Sequence, residues 1–151
     1  MRHYARITGL FALIIVLSGM VLSSSSAQGQ CAASTIVGSY VYSYTGLIGT
    51  NNGLTNVNSF RPTATAGRIV FNAEGTLSGS QTDNSTANVF QITYTGSYAL
   101  DTSTCSGTLT RTFVNGFQVT EDFFVTNDGK EIRFVRTSPA LFIVAGTMTR
   151  Q

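Results

Sequence analysis

The sequence predicts an all-β fold, an eight-stranded antiparallel up-and-down barrel, and three observations support this. After residue 27, turn signals recur every 8–14 residues, helical periodicity is missing, and apolar residues alternate with polar ones along most segments. Many short strands with regularly spaced turns are typical of sandwiches and barrels. One apolar face shared by sequential antiparallel strands favours a barrel, because closure removes exposed strand edges. A β-sandwich is the alternative.

The first 27 residues have the pattern of a secretory signal peptide. Arg2 and Arg6 precede a mostly apolar run at 7–22, and the small residues that follow end at Ala27. The alternative is a membrane anchor, but a membrane-spanning helix needs about 20 apolar residues and this run has 16. We therefore expect a signal peptide at 1–27, a single domain at 28–151, and a secreted or periplasmic location.

Removal of the leader changes which chemistry the chain can perform. Loss of Arg2 and Arg6 lowers the number of Lys and Arg residues from nine to seven, which equals the seven Asp and Glu residues. Because no excess of positive charge remains, no nucleic-acid partner and no membrane partner is expected. Removal of the leader also removes His3, the one histidine of the chain, which excludes Ser-His-Asp and Cys-His catalysis and a His-ligated zinc site. We expect no catalytic residue, metal or cofactor, and a monomer or weak oligomer. The sequence favours a non-enzymatic protein without excluding an enzyme.

Two cysteines, Cys31 and Cys105, remain in the expected exported chain. Oxidising compartments make a disulfide the default for such a pair. Two free thiols, or a bond from Cys31 to another chain, are the alternatives.

Alternation and turn residues divide the domain into eight strands and one long loop. The loop is predicted at 46–60, where Gly and Asn residues cluster, and Asp83, Asp101 and Asp128 are assigned to turns. The strands are predicted at 36–44, 62–72, 76–83, 88–100, 105–113, 118–126, 131–137 and 142–150.

Turn lengths then predict which residues of neighbouring strands lie opposite each other. A turn at Asp128-Gly129 places Val125 with Ile132, Phe123 with Phe134, and Glu121 with Arg136. A three-residue loop at 115–117 places Phe113 with Val119, Leu109 with Phe123, and Arg111 with Glu121. Other turns place Phe71 with Leu77, Tyr98 with Gly107, Tyr94 with Arg111, and Arg136 with Phe142.

These pairings agree on one apolar inner face and one polar outer face. The inner face is predicted to hold Phe71, Leu77, Phe90, Ile92, Tyr94, Tyr98, Leu109, Phe113, Val119, Phe123, Val125, Ile132, Phe134, Phe142, Val144 and Met148. The outer face is predicted to carry Gln91, Thr93, Thr95, Ser97, Thr108, Thr110, Thr112, Gln118 and Thr120.

Charged residues also fall on the inner face, in one row that runs from Tyr94 through Arg111, Glu121 and Arg136 to Phe142. Arginine forks match a carboxylate in two-point geometry, and a buried charge without a partner is costly. A self-satisfied ion network is one interpretation of the row. A ligand anchor is another, because the trio has a net positive charge, and a catalytic role is the third.

The two ends of the domain carry a family resemblance. Gly38-x-Tyr40 opens the first strand and Arg150 ends the last, which resembles the Gly-x-Trp and terminal Arg of lipocalins and other calycins, with Tyr in place of Trp. Three segments, at 67–71, 94–98 and 146–150, also resemble small exported bacterial β-barrel proteins of unassigned function. An allene oxide cyclase or dirigent-like barrel is a neighbouring alternative. The calycin resemblance implies an interior site for a small apolar molecule.

The predicted function is therefore non-enzymatic binding of a small amphipathic or aromatic molecule inside the barrel. The predicted ligand-binding residues are Arg111, Glu121, Arg136, Tyr94, Tyr98, Phe142 and Tyr40. The alternative is a structural or surface-interaction protein with a filled barrel and no ligand. A cavity of about 300 Å³ or more that reaches Arg111 is the expected signature of binding.

Overall fold

The computed structural model describes residues 31–49, 60–85 and 88–151, which form a closed antiparallel barrel. Each strand pairs with its neighbours along the chain, and the first strand pairs with the last. Within these residues there are eight strands: β1 (Gly38–Gly49), β2 (Phe60–Phe71), β3 (Thr76–Ser85), β4 (Asn88–Asp101), β5 (Ser106–Phe113), β6 (Gln118–Thr126), β7 (Glu131–Ser138) and β8 (Phe142–Arg150). Short 3-10 turns lie at Ala33–Ile36 and Asn127–Gly129. This confirms the predicted fold class.

The predicted long loop at 46–60 is wrong at both edges. Residues 46–49 continue β1, because they pair with β2 on one side and residues 46–48 pair with β8 on the other. Phe60 begins β2 opposite Gly49. Residues 50–59 lie outside the described part of the chain.

The predicted register holds at two hairpins. Phe71 pairs with Leu77, and across β6 and β7 all three predicted pairs are present: Val125 with Ile132, Phe123 with Phe134, and Glu121 with Arg136. A bulge lies beside the last pair, between Thr120 and Glu121.

At three other hairpins the predicted register is wrong by two residues. Leu109 lies opposite Glu121 and Arg111 opposite Val119, because the loop is Val114–Gly116 with Gly116 at φ 83°. A four-residue loop at 102–105 places Tyr94 opposite Phe113 rather than Arg111, and Tyr98 opposite Leu109 rather than Gly107. Val135 pairs with Ala145, which excludes the predicted pairing of Arg136 with Phe142. A shift of two residues keeps every side chain on its predicted face.

The inner face forms the core as predicted, with one correction. Phe90 is 46% exposed, because it stands at the open edge of the barrel near the start of β4. Eleven predicted residues are buried, and Ile92, Tyr98, Val125 and Phe142 pack partly buried against them. The core also contains Ile36, Tyr40, Tyr42, Tyr44 and Ile69. The predicted outer-face residues are exposed or partly exposed.

One end of the barrel is closed by the segment before β1, and we call it the closed end. Ile36 is fully buried there, and the Tyr40 hydroxyl donates to the Gly129 carbonyl over 2.7 Å. The Arg150 guanidinium lies 5.2 Å from the Tyr40 ring centre and donates to the Tyr40 hydroxyl and the Thr35 carbonyl. A side chain at Gly129 would meet Thr35, and its φ of +82° also favours glycine. Arg150 packs over the Tyr40 ring at the closed end.

The disulfide ties this closing segment to the body. Cys31 and Cys105 are bonded, with 5.4 Å between their Cα atoms, which confirms the predicted bridge. The Cys31 amide also donates to the Thr102 carbonyl over 3.2 Å. No helix among the described residues is long and apolar enough to span a membrane.

We predict that replacing both cysteines with serine lowers the free energy of unfolding by about 2–4 kcal/mol, because the bond closes a long loop in the unfolded chain. Urea unfolding monitored by tyrosine fluorescence measures this. Adding a reductant to the wild type produces the same loss, whereas the double variant is insensitive to reductant. Equal stability of the oxidised wild type and the double variant contradicts the prediction.

Candidate functional site

A buried ion network occupies the middle of the barrel. Arg111 and Glu121 are fully buried and Arg136 is 7% exposed. Arg111 Nη2 donates to Glu121 Oε1, and Arg136 donates to the same oxygen from Nη2 at 3.0 Å and from Nε at 3.2 Å. Both arginines therefore share one carboxylate oxygen, and Glu121 lies between them as predicted, although Arg111 is opposite Val119 rather than Glu121.

Polar side chains from three more strands extend this network. Arg111 Nη1 donates to the Tyr42 hydroxyl at 3.0 Å and to Gln81 Oε1 at 3.1 Å. Gln81 Nε2 in turn donates to Asp83 Oδ2 at 2.7 Å. Asp83 Oδ1 accepts from the hydroxyls of Tyr44, at 3.3 Å, and Thr65. The network thus runs from β6 to β2 across the interior.

Aromatic rings cover both guanidinium groups. Arg111 Cζ lies 5.3 Å from the ring centre of Tyr42 and 5.2 Å from that of Tyr94. Arg136 Cζ lies 5.0 Å from the ring centre of Tyr44 and 5.1 Å from that of Phe142. Stacking of this kind adds about 0.5–2 kcal/mol per contact and leaves the edges of a guanidinium free for hydrogen bonds.

Glycines on the inner face make room for these rings. A Cβ at Gly67 would lie 2.6 Å from Tyr42 Cζ, and one at Gly79 would overlap the Tyr94 hydroxyl. Both rings reach across to neighbouring strands only because these positions lack a side chain.

Tyr42, Tyr94 and Arg111 have pKa values shifted upward, so they act as hydrogen-bond donors. Burial raises the pKa of Tyr42 and of Tyr94, even though Arg111 opposes the shift. Burial lowers the pKa of Arg111, but attraction to Glu121 and to the tyrosines outweighs it and the net shift is upward. The phenols and the guanidinium of Arg111 therefore keep their protons at neutral pH.

Two buried atoms of the network have no hydrogen-bond partner among the described residues. They are Arg111 Nε and Glu121 Oε2. Among the described residues, the network that includes Asp83 holds two arginines and two carboxylates, which offsets the net positive charge expected for the trio alone.

A cavity of about 180 Å³ opens at the end of the barrel opposite the closed end, and we call it the mouth cavity. Its apolar wall consists of Ile48, Phe90, Ile92, Phe113, Phe117 and Phe142. Its polar residues are Tyr44, Thr63, Gln81, Asp83, Ser85, Asn115 and Arg136. The cavity ends on the ion network, at Arg136.

The predicted ligand-binding residues separate into three groups. Arg136 and Phe142 line the mouth cavity. Arg111, Glu121 and Tyr94 belong to the network or its stacked rings and do not line it. Tyr40 and Tyr98 lie toward the closed end, where Tyr98 packs 5.1 Å from Phe71, centre to centre. The cavity is smaller than the expected 300 Å³ and does not reach Arg111. The ligand-binding role of all seven stays a prediction.

Sequence reasoning missed Gln81 and Asp83. The turn predicted at Asp83 is wrong, because Asp83 lies within β3 with its carboxylate bonded to Thr65, Gln81 and Tyr44. The usable signal is alternation, because Gln81 and Asp83 are in step with Leu77 on the inner face. Thr63 and Thr65 of β2 are buried in the same way.

Comparison with known proteins supports the fold. No protein-family model and no curated protein matches the chain. Among solved structures, the chain is similar to EF1p2_mFAP2b bound to DFHBI, with a TM-score of 0.55, 11% identity, and coverage of 82% of this chain and 99% of that one. It also matches a crystal structure of Rv2717c from M. tuberculosis, with a TM-score of 0.39, 14% identity, and coverage of 78% and 94%. The first likeness shows a shared fold.

Fold and site together define the class of protein. The chain is a closed eight-stranded antiparallel barrel with a buried Arg-Glu-Arg network, a disulfide-anchored closed end and a small aromatic cavity at its mouth.

We predict that Glu121→Gln lowers the free energy of unfolding by about 3–5 kcal/mol, because it leaves two buried arginines without their shared carboxylate. Arg111→Met has a smaller effect, since Glu121 keeps both hydrogen bonds from Arg136. Chemical denaturation measures the two variants. The matched control is Glu131→Gln at the outer pair with Arg133, whose side chain is 71% exposed, and there the change stays within about 1 kcal/mol. Equal effects at the two glutamates contradict the prediction.

Proposed function

We propose that this protein binds a small aromatic molecule in the mouth cavity and performs no reaction on it. The observation that carries the proposal is the composition of that cavity, an apolar aromatic wall above a polar floor. Small-molecule sites commonly combine apolar walls with a few polar groups that orient the ligand. The solved neighbour of the same fold, EF1p2_mFAP2b, is bound to DFHBI, which supports a ligand-binding use of such a barrel.

The size of the cavity sets the size of the ligand. Drug-sized molecules occupy pockets of about 300–1,000 Å³, whereas an apolar cavity of about 150 Å³ accommodates benzene. At about 180 Å³ the mouth cavity fits a single ring with a small substituent. The ligand therefore sits above Arg136 at the mouth rather than deep in the barrel.

The buried groups behind the mouth cavity support a binding role. Tyr42 and Arg111 behind the floor keep their protons at neutral pH, since burial raises the pKa of Tyr42 and Glu121 helps to raise that of Arg111. Groups that stay protonated act as hydrogen-bond donors and not as general bases.

The alternative function is a structural or surface-interaction protein that uses a filled barrel and binds no ligand. The observation in its favour is the packed interior below the mouth cavity, where Phe71, Phe123 and Met148 are buried almost completely. Absence of any single-ring ligand from the mouth cavity in solution is the result that would favour this alternative.

We also propose that the protein works outside the cytoplasm, after removal of residues 1–27. The Cys31–Cys105 disulfide supports this, because such bonds persist in oxidising compartments. Mass spectrometry of the protein recovered from outside the cytoplasm is expected to show a chain that begins at Gln28 with both cysteines oxidised. An intact leader, or reduced cysteines in freshly recovered protein, contradicts this location.

We predict that toluene and phenol bind to the wild-type protein and shift the NMR signals of Phe117 and Phe142. Ser85→Phe is expected to abolish these shifts, because its ring points into the mouth cavity and fills it. The matched control is Ser78→Phe on the same strand, whose side chain is exposed on the outer face, and it binds both probes normally.

The proposal fails if neither probe perturbs the mouth residues of the wild type, whatever the variants do. It also fails if Ser85→Phe folds and still binds the probes as the wild type does, because the probes then occupy another site.

A further inference from the structure

Two opposite charges, Arg136 and Asp83, face the same cavity without forming an ion pair with each other. Among the described residues, the buried ion pairs are Arg111–Glu121 and Arg136–Glu121. Asp83 and Arg136 meet through Tyr44, whose hydroxyl donates to Asp83 and whose ring covers the Arg136 guanidinium. The cavity floor therefore offers a cation and an anion that are separate from each other.

Arg136 retains hydrogen-bond donors for a ligand. A guanidinium has five N–H donors, and Arg136 uses Nε and Nη2 on Glu121 Oε1. Its Nη1 donates to no group in the described part of the chain. Tyr44 and Phe142 cover its faces, and its side chain lines the mouth cavity.

Asp83 retains an acceptor position. A carboxylate has about four lone-pair sites. Tyr44 and Thr65 donate to Oδ1 and Gln81 donates to Oδ2, which leaves one site on Oδ2 within the described network. The floor thus presents one unused acceptor and unused donors to the same small space.

We infer that the mouth cavity selects a neutral single-ring aromatic with a hydroxyl group, a phenol, over aromatic acids and amines. This inference rests on the proposed function and specifies its ligand class. The phenolic oxygen accepts from Arg136 Nη1, and the hydroxyl hydrogen is donated to Asp83 Oδ2. A carboxylate in that place is attracted by Arg136 but repelled by Asp83, and the reverse holds for an ammonium. Attraction and repulsion offset each other for both ions, while each ion still loses its hydration. A phenol stays neutral at pH values below its pKa of about 10.

The test measures the affinities of three probes for the wild-type protein at neutral pH by calorimetric titration and compares them with one another. Phenol is expected to bind most tightly. Anisole keeps the acceptor oxygen but lacks the hydrogen donated to Asp83, and it binds about tenfold more weakly. Benzoate binds more weakly than anisole because of its repulsion by Asp83.

The role of Asp83 is tested by Asp83→Asn, which removes the negative charge and retains an amide oxygen as acceptor. The ratio of phenol affinity to benzoate affinity is expected to fall about tenfold. The matched control is Asp122→Asn on β6, where alternation with buried Glu121 and Phe123 directs residue 122 to the outer face, and the ratio is unchanged there.

The outcomes separate this inference from the function on which it rests. If phenol binds no better than anisole, or benzoate binds as well as phenol, the inference of selectivity for phenols is overturned. The proposed binding of an aromatic molecule in the mouth cavity is then still supported. If none of the probes binds, the proposed function itself fails. Should Asp83→Asn not fold, the wild-type comparison of phenol with anisole still decides.

Discussion

The shared carboxylate oxygen of Glu121 is the interaction on which the interior depends. Moving a carboxylate out of water costs several kcal/mol, and Glu121 is fully buried. Arg111 and Arg136 compensate that charge, but two guanidinium groups on one oxygen leave an excess of donors. The excess requires acceptors on other strands, and Tyr42, Gln81 and Asp83 supply or relay them. The ion pair thus determines the polar composition of strands that do not carry it.

The same requirement shapes the packing around the network. Tyrosine suits the surroundings of a buried arginine because its ring stacks on the guanidinium and its hydroxyl accepts a hydrogen bond, as Tyr42 does for Arg111. Such rings need space in a narrow barrel, which Gly67 and Gly79 leave by lacking a side chain. Eight strands enclose an interior just wide enough for side chains or one small ligand. Among the described residues, buried side chains fill the closed end and the centre, and the mouth cavity lies at the opposite end.

This division links the stability of the barrel to its proposed use. Arg136 belongs to both parts, because two of its nitrogen atoms donate to Glu121 and its side chain also lines the mouth cavity. The network therefore holds the floor of the cavity in place before any ligand arrives. Preorganised polar groups lose little entropy on binding, which favours recognition of a small molecule that offers few contacts.

The sequence by itself predicted the disulfide from two cysteines in an expected exported chain, with free thiols as an alternative. It determined the number of strands, the face to which nearly every side chain points, and the burial of Arg111, Glu121 and Arg136. Those features follow from alternation, and a register error of two residues leaves alternation unchanged. Only the tertiary structure decided which residues lie opposite each other at three hairpins, since the loop around Gly116 and the four-residue loop before Ser106 set register by backbone conformation. It also decided which side chains Asp83 bonds to and that the mouth cavity does not reach Arg111. Both depend on how strands distant in the chain close the barrel and fill its volume, which no local pattern of residues encodes.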